Sequence, residues 1–359
     1  MHPDFYNSDA FSLVTLTEVI NNEENVPGRA GEVVFAGIGE GVSTTSIDVE
    51  IDSETLTLIP TSARGGPAPL NTADKNKLEV LSIPHIKLEE TIGAHQIQNV
   101  RQFGSMDTLR GARSVVDREI RKQSRRHDLT LENLRLGALR GTILDSDGST
   151  LVNLFTKFGV TQTVVDFDDV FIPKDDGDAT LQNVRRRCQH IVRLMRRAAL
   201  GSWNSNVRVW CFAGDNFFDK LVSSIGVKEV YLQTEKAEQK LGTNYANGLF
   251  EFGGIFFENY AGTNDQSVTS GGTVGIDPDE AQFFLTNAPG LYSEVYAPGD
   301  FMDTVNTMGI PRYALVVPTD NTNRSVTLHT QQNPLPYCLK PKTLIKGTST
   351  ASTEDLAIA

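Results

Sequence analysis

The hydrophobic and polar positions of this chain divide it into stretches of different period. Ile47, Val49 and Ile51 alternate with Asp48, Glu50 and Asp52, the period-two pattern of a strand with one covered face. Leu56 and Leu58 fall on the opposite parity, so a bulge or bend near Ser53-Glu54 is expected. A return strand over Lys77–Ile83 ends at Pro84. The stretch between holds Pro60, Gly65, Gly66, Pro67 and Pro69, too long for a two-residue turn and too rich in proline to continue a strand. The pattern predicts a long β-hairpin over residues 46–90. Such a hairpin has little core of its own and is marginal in water, so it is expected to lie on a neighbour. Residues 1–45 read as an arm, interrupted by Pro27-Gly28 and by Gly37–Gly41; Phe11–Ile20 fits either a short helix or a strand.

The period then changes. Leu109, Ala112, Val116, Ile120, Gln123, His127, Leu131, Leu134 and Ala138 recur three or four apart, which predicts an amphipathic helix over 106–140. Asp107 is its expected N-cap; Gly137 and Gly141 weaken its end. Asp147-Gly148 marks a hairpin turn, and Leu151–Phe155 and Thr163–Phe167 read as short strands. A second helix is predicted over Thr180–Leu200, with the stripe Leu181, Val184, Cys188, Ile191, Met195 and Ala198. An α/β pattern follows: strand Val207–Phe212, helix Asn216–Val222, strands over Leu249–Tyr260 around Gly253-Gly254, and strand Gln282–Leu285. Gly262–Gly275 is a polar loop. Arg312–Val317 and Ser325–Thr330 read as closing strands joined by the turn Asp320–Asn323. Residues 348–359 are small and polar and are expected to form a flexible tail. No internal repeat is present. The class is α+β. A long arm, a rigid helical spine and a compact α/β lobe are parts for tiling a surface rather than for building one reaction site.

Composition changes the picture in one respect. The chain of 359 residues is 39% hydrophobic with a net charge of -12, which argues against a general nucleic-acid binder. The charge is uneven, however. Residues 101–140 carry Arg101, Arg110, Arg113, Arg118, Arg121, Lys122, Arg125, Arg126, Arg135 and Arg140. Residues 185–197 carry Arg185, Arg186, Arg187, Arg193, Arg196 and Arg197 with no acid among them. The acids concentrate in Asp48–Glu54 and Asp166–Asp178. Cys188, Cys211 and Cys338 form no CxxC pair and no complete disulfide framework, which fits folding in a reducing compartment. No signal peptide is expected, and no apolar run approaches the ~20 residues of a membrane span.

Catalytic motifs are weak. Gly37-Ile38-Gly39-Glu40-Gly41 resembles a phosphate loop but lacks the third glycine spacing and a following helix, so it reads as loop punctuation. There is no Walker A sequence and no G-x-S-x-G elbow. The histidines, His2, His85, His95, His127, His190 and His329, give no metal-ligand spacing with each other or with cysteine. His127 lies on the apolar stripe and reads as a core residue. Asp168-Asp169 and Asp175-Asp176 read as a solvated acidic loop rather than an oxygen cage. Cys211, at the end of an apolar strand, reads as buried filler. No catalytic, cofactor-binding or metal residue is assigned, and no cofactor is expected. Three readings of the arginine clusters stay open: a solvated helix face with pairs such as Asp117/Arg121 and Glu132/Arg135, a surface for polyphosphate, or salt bridges to acidic parts of another copy. Taken alone, the first is the default.

Three further stretches carry a resemblance: Arg64-Gly65-Gly66-Pro67 with Ile83-Pro84-His85; Glu132–Gly141 leading into Leu144-Asp145-Ser146-Asp147-Gly148; and Asp303–Pro311. None is a catalytic signature, but together and in this order the chain resembles the major capsid proteins of tailed bacteriophages, the lambda-type (phage capsid E) family, over nearly its whole length. The resemblance implies the tailed-phage capsid fold: an N-terminal arm (1–45), an extended loop (46–90), a peripheral domain (91–179) with spine helix 106–140, an axial domain (180–310), a return to the peripheral domain (311–347) and the tail. It implies a structural protein forming hexamers and pentamers of an icosahedral shell around double-stranded DNA held without sequence specificity. Within a shell, pairing between subunits becomes the favoured role of the arginines. The implied contact residues are Arg64, Gly65, Gly66, Arg118, Arg121, Arg125, Arg126, Arg185, Arg186 and Arg187, and the implied hinges are Gly37, Gly39 and Gly41. Because the arm begins almost at Met1, a separate scaffolding protein linked to a maturation protease is expected, with a portal and a possible trimeric decoration protein near the hairpin. Assembly would take place in the host cytoplasm, with no membrane partner. Lys75 and Lys77 read as surface residues, since nothing near them specifies covalent cross-linking. Two alternatives are an encapsulin-like compartment and, less favoured, a soluble α/β enzyme.

Overall fold

The computed structural model describes residues 28–51, 77–97, 112–171, 180–224 with Val227, 249–260, 274–319 and 324–349. In chain order the elements are helix α1 (Arg29–Val33) and strand β1 (Gly39–Gly41), the hairpin strands β2 (Ser46–Ile51) and β3 (Lys77–Ser82), then β4 (Ile86–Gly93) and α2 (Ala94–Ile97). The spine α3 (Ala112–Arg140) follows, then β5 (Thr142–Leu144), β6 (Thr150–Asn153), α4 (Leu154–Phe158), β7 (Thr163–Asp166), α5 (Asp168–Phe171) and α6 (Thr180–Ala199). The lobe continues with β8 (Arg208–Ala213), α7 (Asp215–Ser223), β9 (Leu249–Phe252), β10 (Ile255–Asn259), β11 (Glu280–Thr286) and β12 (Tyr292–Tyr296). The chain closes with β13 (Tyr313–Pro318), β14 (Ser325–Gln332), β15 (Pro334–Cys338) and β16 (Ile345–Thr348).

The spine serves two cores. Its 29 residues span about 43 Å at 1.5 Å per residue, and its two ends belong to different cores. Val115, Val116 and Ile120 near its start pack with Ile92, Ala314, Val316, Val326 and Leu328 of the antiparallel sheet β13-β14-β4. Leu134, Leu136, Ala138 and Leu139 near its end join the main core. Between them lies a buried polar belt. Thr330 Oγ1 donates to Gln123 Oε1 at 2.5 Å and lies 3.0 Å from His127 Nε2. Arg312 Nη1 donates to Ser124 Oγ at 2.5 Å, and its other terminal nitrogen pairs with Asp128. The helix ends at Gly141, whose φ of +81° suits a residue without a side chain. Gly137 lowers helix propensity but lets β5 lie flush: a Cβ there would sit 2.9 Å from Ile143 Cα.

The lobe is a six-stranded sheet in the order β7-β16-β11-β8-β10-β9. Cross-strand register places Phe257, Cys211, Phe283 and Ile345 on one face, because directly paired residues point the same way. Helix α6 covers this face: its Cys188 sits so close to Gly253 that a Cβ at Gly253 would lie 2.6 Å away. Phe167, Phe171 and Phe217 pack as a ring cluster onto Phe283. The opposite parity carries Glu258, which faces α1 through Arg29. A second sheet, β1-β12-β15, joins the arm to the lobe.

Several expectations are corrected. Residues 86–90, grouped with the hairpin by sequence, belong to β4, which pairs with β14 from Gly93↔Ser325 to Ile86↔Gln332. Leu151–Phe155 is not one strand: Asn153 Oδ1 accepts from Thr156 N at 3.1 Å and turns the chain into helix α4. Residues 334–349 do not stay with the peripheral sheet. β15 pairs with β12, and β16 lies between β7 and β11 inside the lobe. Thr348 is therefore paired and Ser349 is buried, with Ser349 N donating to Asp279 O at 2.9 Å. The predicted helix residues 106–111 with Asp107, the Asp320–Asn323 turn and residues 350–359 lie outside the described residues.

Candidate assembly site

The hairpin presents two different faces. Val49 and Leu81 are 5% and 1% exposed and join the main core. Lys157 of α4 holds the hairpin down, donating to Val80 O at 3.3 Å and pairing with Glu79 at 3.7 Å. The outward face is set by register: Asp48 stands opposite Val80, and Glu50 opposite Leu78. Leu78 is 61% exposed and Val80 50%. Arg64, Gly65, Gly66, Lys75 and the bend at Ser53-Glu54 lie outside the described residues.

The arm is built into the body rather than merely interrupted by glycine. Glu132 of the spine accepts from Ala30 N at 2.6 Å and Gly31 N at 3.2 Å, satisfying N–H groups at the start of α1, and from Tyr260 Oη at 2.8 Å. One carboxylate thus ties arm, spine and lobe. Arg135 does the same one turn on: its Nε and Nη2 grip Glu294 at 2.7 and 2.9 Å, and its guanidinium lies 5.8 Å from the Phe35 ring centre. The Glu132/Arg135 helical pair expected from spacing is replaced by these longer-range partners. Gly39 and Gly41 are paired with Glu294 and Tyr296 in a parallel ladder. A Cβ at Gly39 would come 2.7 Å from the Tyr296 ring, and one at Gly41 would run into the Gly309 carbonyl. Both glycines are thus closely packed in this structure. Gly37, with φ of +74° and open space around it, alone keeps the geometry of a turning point.

The two arginine clusters differ. Arg118, Arg121, Arg125 and Arg126 are exposed on α3, above the peripheral sheet. There Arg118 meets Glu119 at 3.2 Å, and Lys122 meets Glu119 at 2.9 Å and Glu90 at 3.3 Å. Arg185 and Arg186 are exposed and Arg187 half-buried on α6, a different helix over a different sheet. The structure therefore does not gather the two clusters into one site.

A cleft of about 650 Å³ opens at the hairpin base between residues 43–46, 83–85 and 297–306. Its titratable lining groups are His85, whose Nδ1 lies 2.8 Å from Asn333 Oδ1, and Asp300; no third joins them. Burial pushes the Cys188 and Cys338 thiols up to about 12, out of the range of a nucleophile at neutral pH. Among the described residues no cluster of His, Cys, Asp and Glu could hold a metal ion, and no helix is long and apolar enough to cross a membrane.

An arm pinned to a spine and a hairpin with an apolar outward face suit a subunit that meets others, and among the described residues no converging polar site accompanies them. The family model for phage major capsid protein E matches residues 12–349. The chain belongs to that family. It is 24% identical over 361 residues to the major capsid protein of Salmonella phage Felix O1, covering 92% of this chain and 95% of that one. A solved structure described as a prophage capsid protein from E. coli CFT073 matches with a TM-score of 0.54 at 12% identity, covering 92% of this chain and 96% of that one. The cyanophage A-1(L) capsid gives 0.51 at 12% identity, covering 91% and 94%. This capsid protein therefore has the α+β fold of phage capsids and a structural role in the icosahedral shell of a virion. The stretches that carried the resemblance now have physical meaning. Glu132–Gly141 holds both spine carboxylate-and-guanidinium ties and the two packing glycines. Asp303–Pro311 holds Gly309, whose N–H donates to Val42 O at 2.9 Å beside the arm strand. Glu132 and Arg135 were missed as tie residues because nothing local marks partners more than a hundred residues away.

Proposed function

We propose that this capsid protein closes into hexamers and pentamers through heterologous contacts, with the hairpin of each copy lying across the next. The observation that carries this reading is the outward hairpin face. Leu78 and Val80 are exposed large apolar residues on a short two-stranded ribbon, beside the exposed Asp48 and Glu50. A ribbon gains nothing by holding leucine and valine in water. Covered by a neighbour, the two apolar side chains form the contact and the two acids meet a basic surface. The exposed arginines Arg118, Arg121, Arg125 and Arg126 on the spine supply such a surface, and Arg64, Gly65 and Gly66 extend the contact at the tip. Maturation is a rearrangement of rigid bodies in which the arm turns at Gly37.

In this reading a separate scaffolding protein linked to a maturation protease guides assembly in the host cytoplasm, and a portal takes one vertex. Double-stranded DNA fills the interior without being read, and the hairpin–arm surface is where a trimeric decoration protein would dock. Family membership supports these partners. The contact is tested by Leu78→Asp with Val80→Asp. The expected outcome is a subunit with unchanged melting temperature that forms no shells by electron microscopy. Normal shells from the double variant would show that this face is not a contact.

A further inference from the structure

We infer that the outward face of α6 is a polyphosphate surface that takes the backbone of packaged duplex DNA; this rests on the reading that the shell holds DNA. The orientation of α6 is fixed by its inner stripe, since Val184, Cys188, Ile191, Met195 and Ala199 are all 0% exposed. The arc opposite that stripe carries Arg186, Arg193 and Arg197, flanked by Arg185 and Arg196, and all five are exposed. Gln189 and His190 fill the spaces between them.

Three observations separate this face from an ordinary solvated one. First, α6 contains no acidic residue along its whole length, so none of the usual three- or four-apart pairs is available to it. None of the five arginines forms an ion pair with another described residue. The spine differs, because there Glu119 and Glu90 neutralise part of the positive face. Arg193 and Arg197 stand four apart, a spacing at which like charges destabilise a helix. Among the described residues nothing neutralises the row, so it is a small standing cost to the subunit that an anion laid against it would relieve. Second, the arc carries no apolar or aromatic residue. The core of a protein–protein contact is depleted in charge and anchored by such residues, so a second copy is a poor occupant. A wet, strongly positive surface is what a DNA backbone contact uses. Third, the residues are arginine throughout. A guanidinium fork meets phosphate oxygens two at a time.

The spacing fits as well. Arg186, Arg193 and Arg197 lie seven and eleven residues apart on one line, about 16 Å along the axis at 1.5 Å per residue. Duplex DNA carries one charge per roughly 1.7 Å of its length, so a helix laid against it meets several phosphates together. Such contacts position DNA and read no sequence. They also invert the local sign of a chain whose net charge is -12, which would otherwise repel its contents.

The test is fluorescence anisotropy of the purified full-length subunit with a labelled 20-bp duplex of random sequence, titrated across salt. The variant is Arg186→Gln with Arg193→Gln and Arg197→Gln, which keeps helix propensity close to that of arginine. Each neutralised phosphate adds about 0.9 to the slope of log affinity against log salt, so the triple variant should lose about 2.7. The matching triple lysine variant should keep the slope, and duplexes of A·T and G·C should bind alike. Both triple variants should still form shells. Should the triple glutamine variant fail to fold, the three single variants, each expected to lose about 0.9, carry the test. An unchanged slope would overturn the inference. So would a folded glutamine variant that forms no shells, which would make the face a contact between copies. Purified heads that contain no DNA would instead sink the packaging reading, whatever the anisotropy shows.

Discussion

Acid should loosen the joint between the spine and the peripheral sheet, and His127 should be the cause. Its ring is 0% exposed. Nε2 lies 3.0 Å from Thr330 Oγ1, and Nδ1 has no partner among the described residues. Burial first, and then the nearby charge of Arg312, hold its pKa down at about 4 against an ordinary 6.5. The folded value is the lower one, so the unfolded chain takes the proton first. The stability concerned is fully present above about 6.5 and is lost as pH falls through that value toward about 4. At 1.36 kcal/mol per unit, His127 should cost about 2 kcal/mol at pH 5, and about 3 kcal/mol once pH lies below both values. Arg312 keeps its charge throughout, since burial brings it down only to about 10, so it gives no relief as the ring protonates. The perturbation is His127→Gln, which can still bond Thr330 but cannot titrate. Urea unfolding of the unassembled subunit at pH 7 and pH 5 is the assay, with the slope m checked for constancy. Carboxylates titrate in both proteins and cancel in the comparison. Wild type should lose about 2 kcal/mol more than the variant between the two pH values. Equal losses would refute the reasoning.

Two further outcomes test the ties of the arm. Arg135→Ala leaves Glu294, 1% exposed, as a buried charge without its partner, and should cost about 3–5 kcal/mol, read as a lower urea midpoint. Gly41→Ala drives a methyl group into the Gly309 carbonyl. It should cost about 1–3 kcal/mol and lift β1 from β12, seen as faster proteolysis of the arm while the lobe stays resistant.

Much of this fold can be read from local pattern, and the exceptions have physical causes. The stripe on α6 follows three-and-four spacing closely enough that Val184, Cys188, Ile191 and Met195 are all fully buried. Alternation along β2 correctly places Val49 inward and Asp48 and Glu50 outward. Both depend only on neighbours in sequence. Strand β16 is different. Ile345-Lys346-Gly347-Thr348 has weak strand preference, and it is a strand because β7 and β11 pair with it on either side. Its glycine is needed because the Phe283 ring would lie 2.8 Å from a Cβ there. Helix α4 did leave a local signal, with Asn153 as cap and Gly159 at φ +64° as stop, but the apolar run Leu151–Phe155 imitates a strand. The ties of Glu132 to Ala30 and of Arg135 to Glu294 leave no local trace, because their geometry exists only once the spine has folded against arm and lobe. The hairpin's outward Leu78 and Val80 are visible in sequence as apolar residues, but only the register shows that they face away from the body.

The central claim is a shell whose subunits are joined through the hairpin. Cryo-electron microscopy of particles assembled from this chain, at a resolution that traces the backbone, tests it most directly. The account predicts closed icosahedral shells in which Leu78 and Val80 of each copy are buried against the adjacent one. Discrete small oligomers, or shells in which this hairpin face points into solvent, would contradict it.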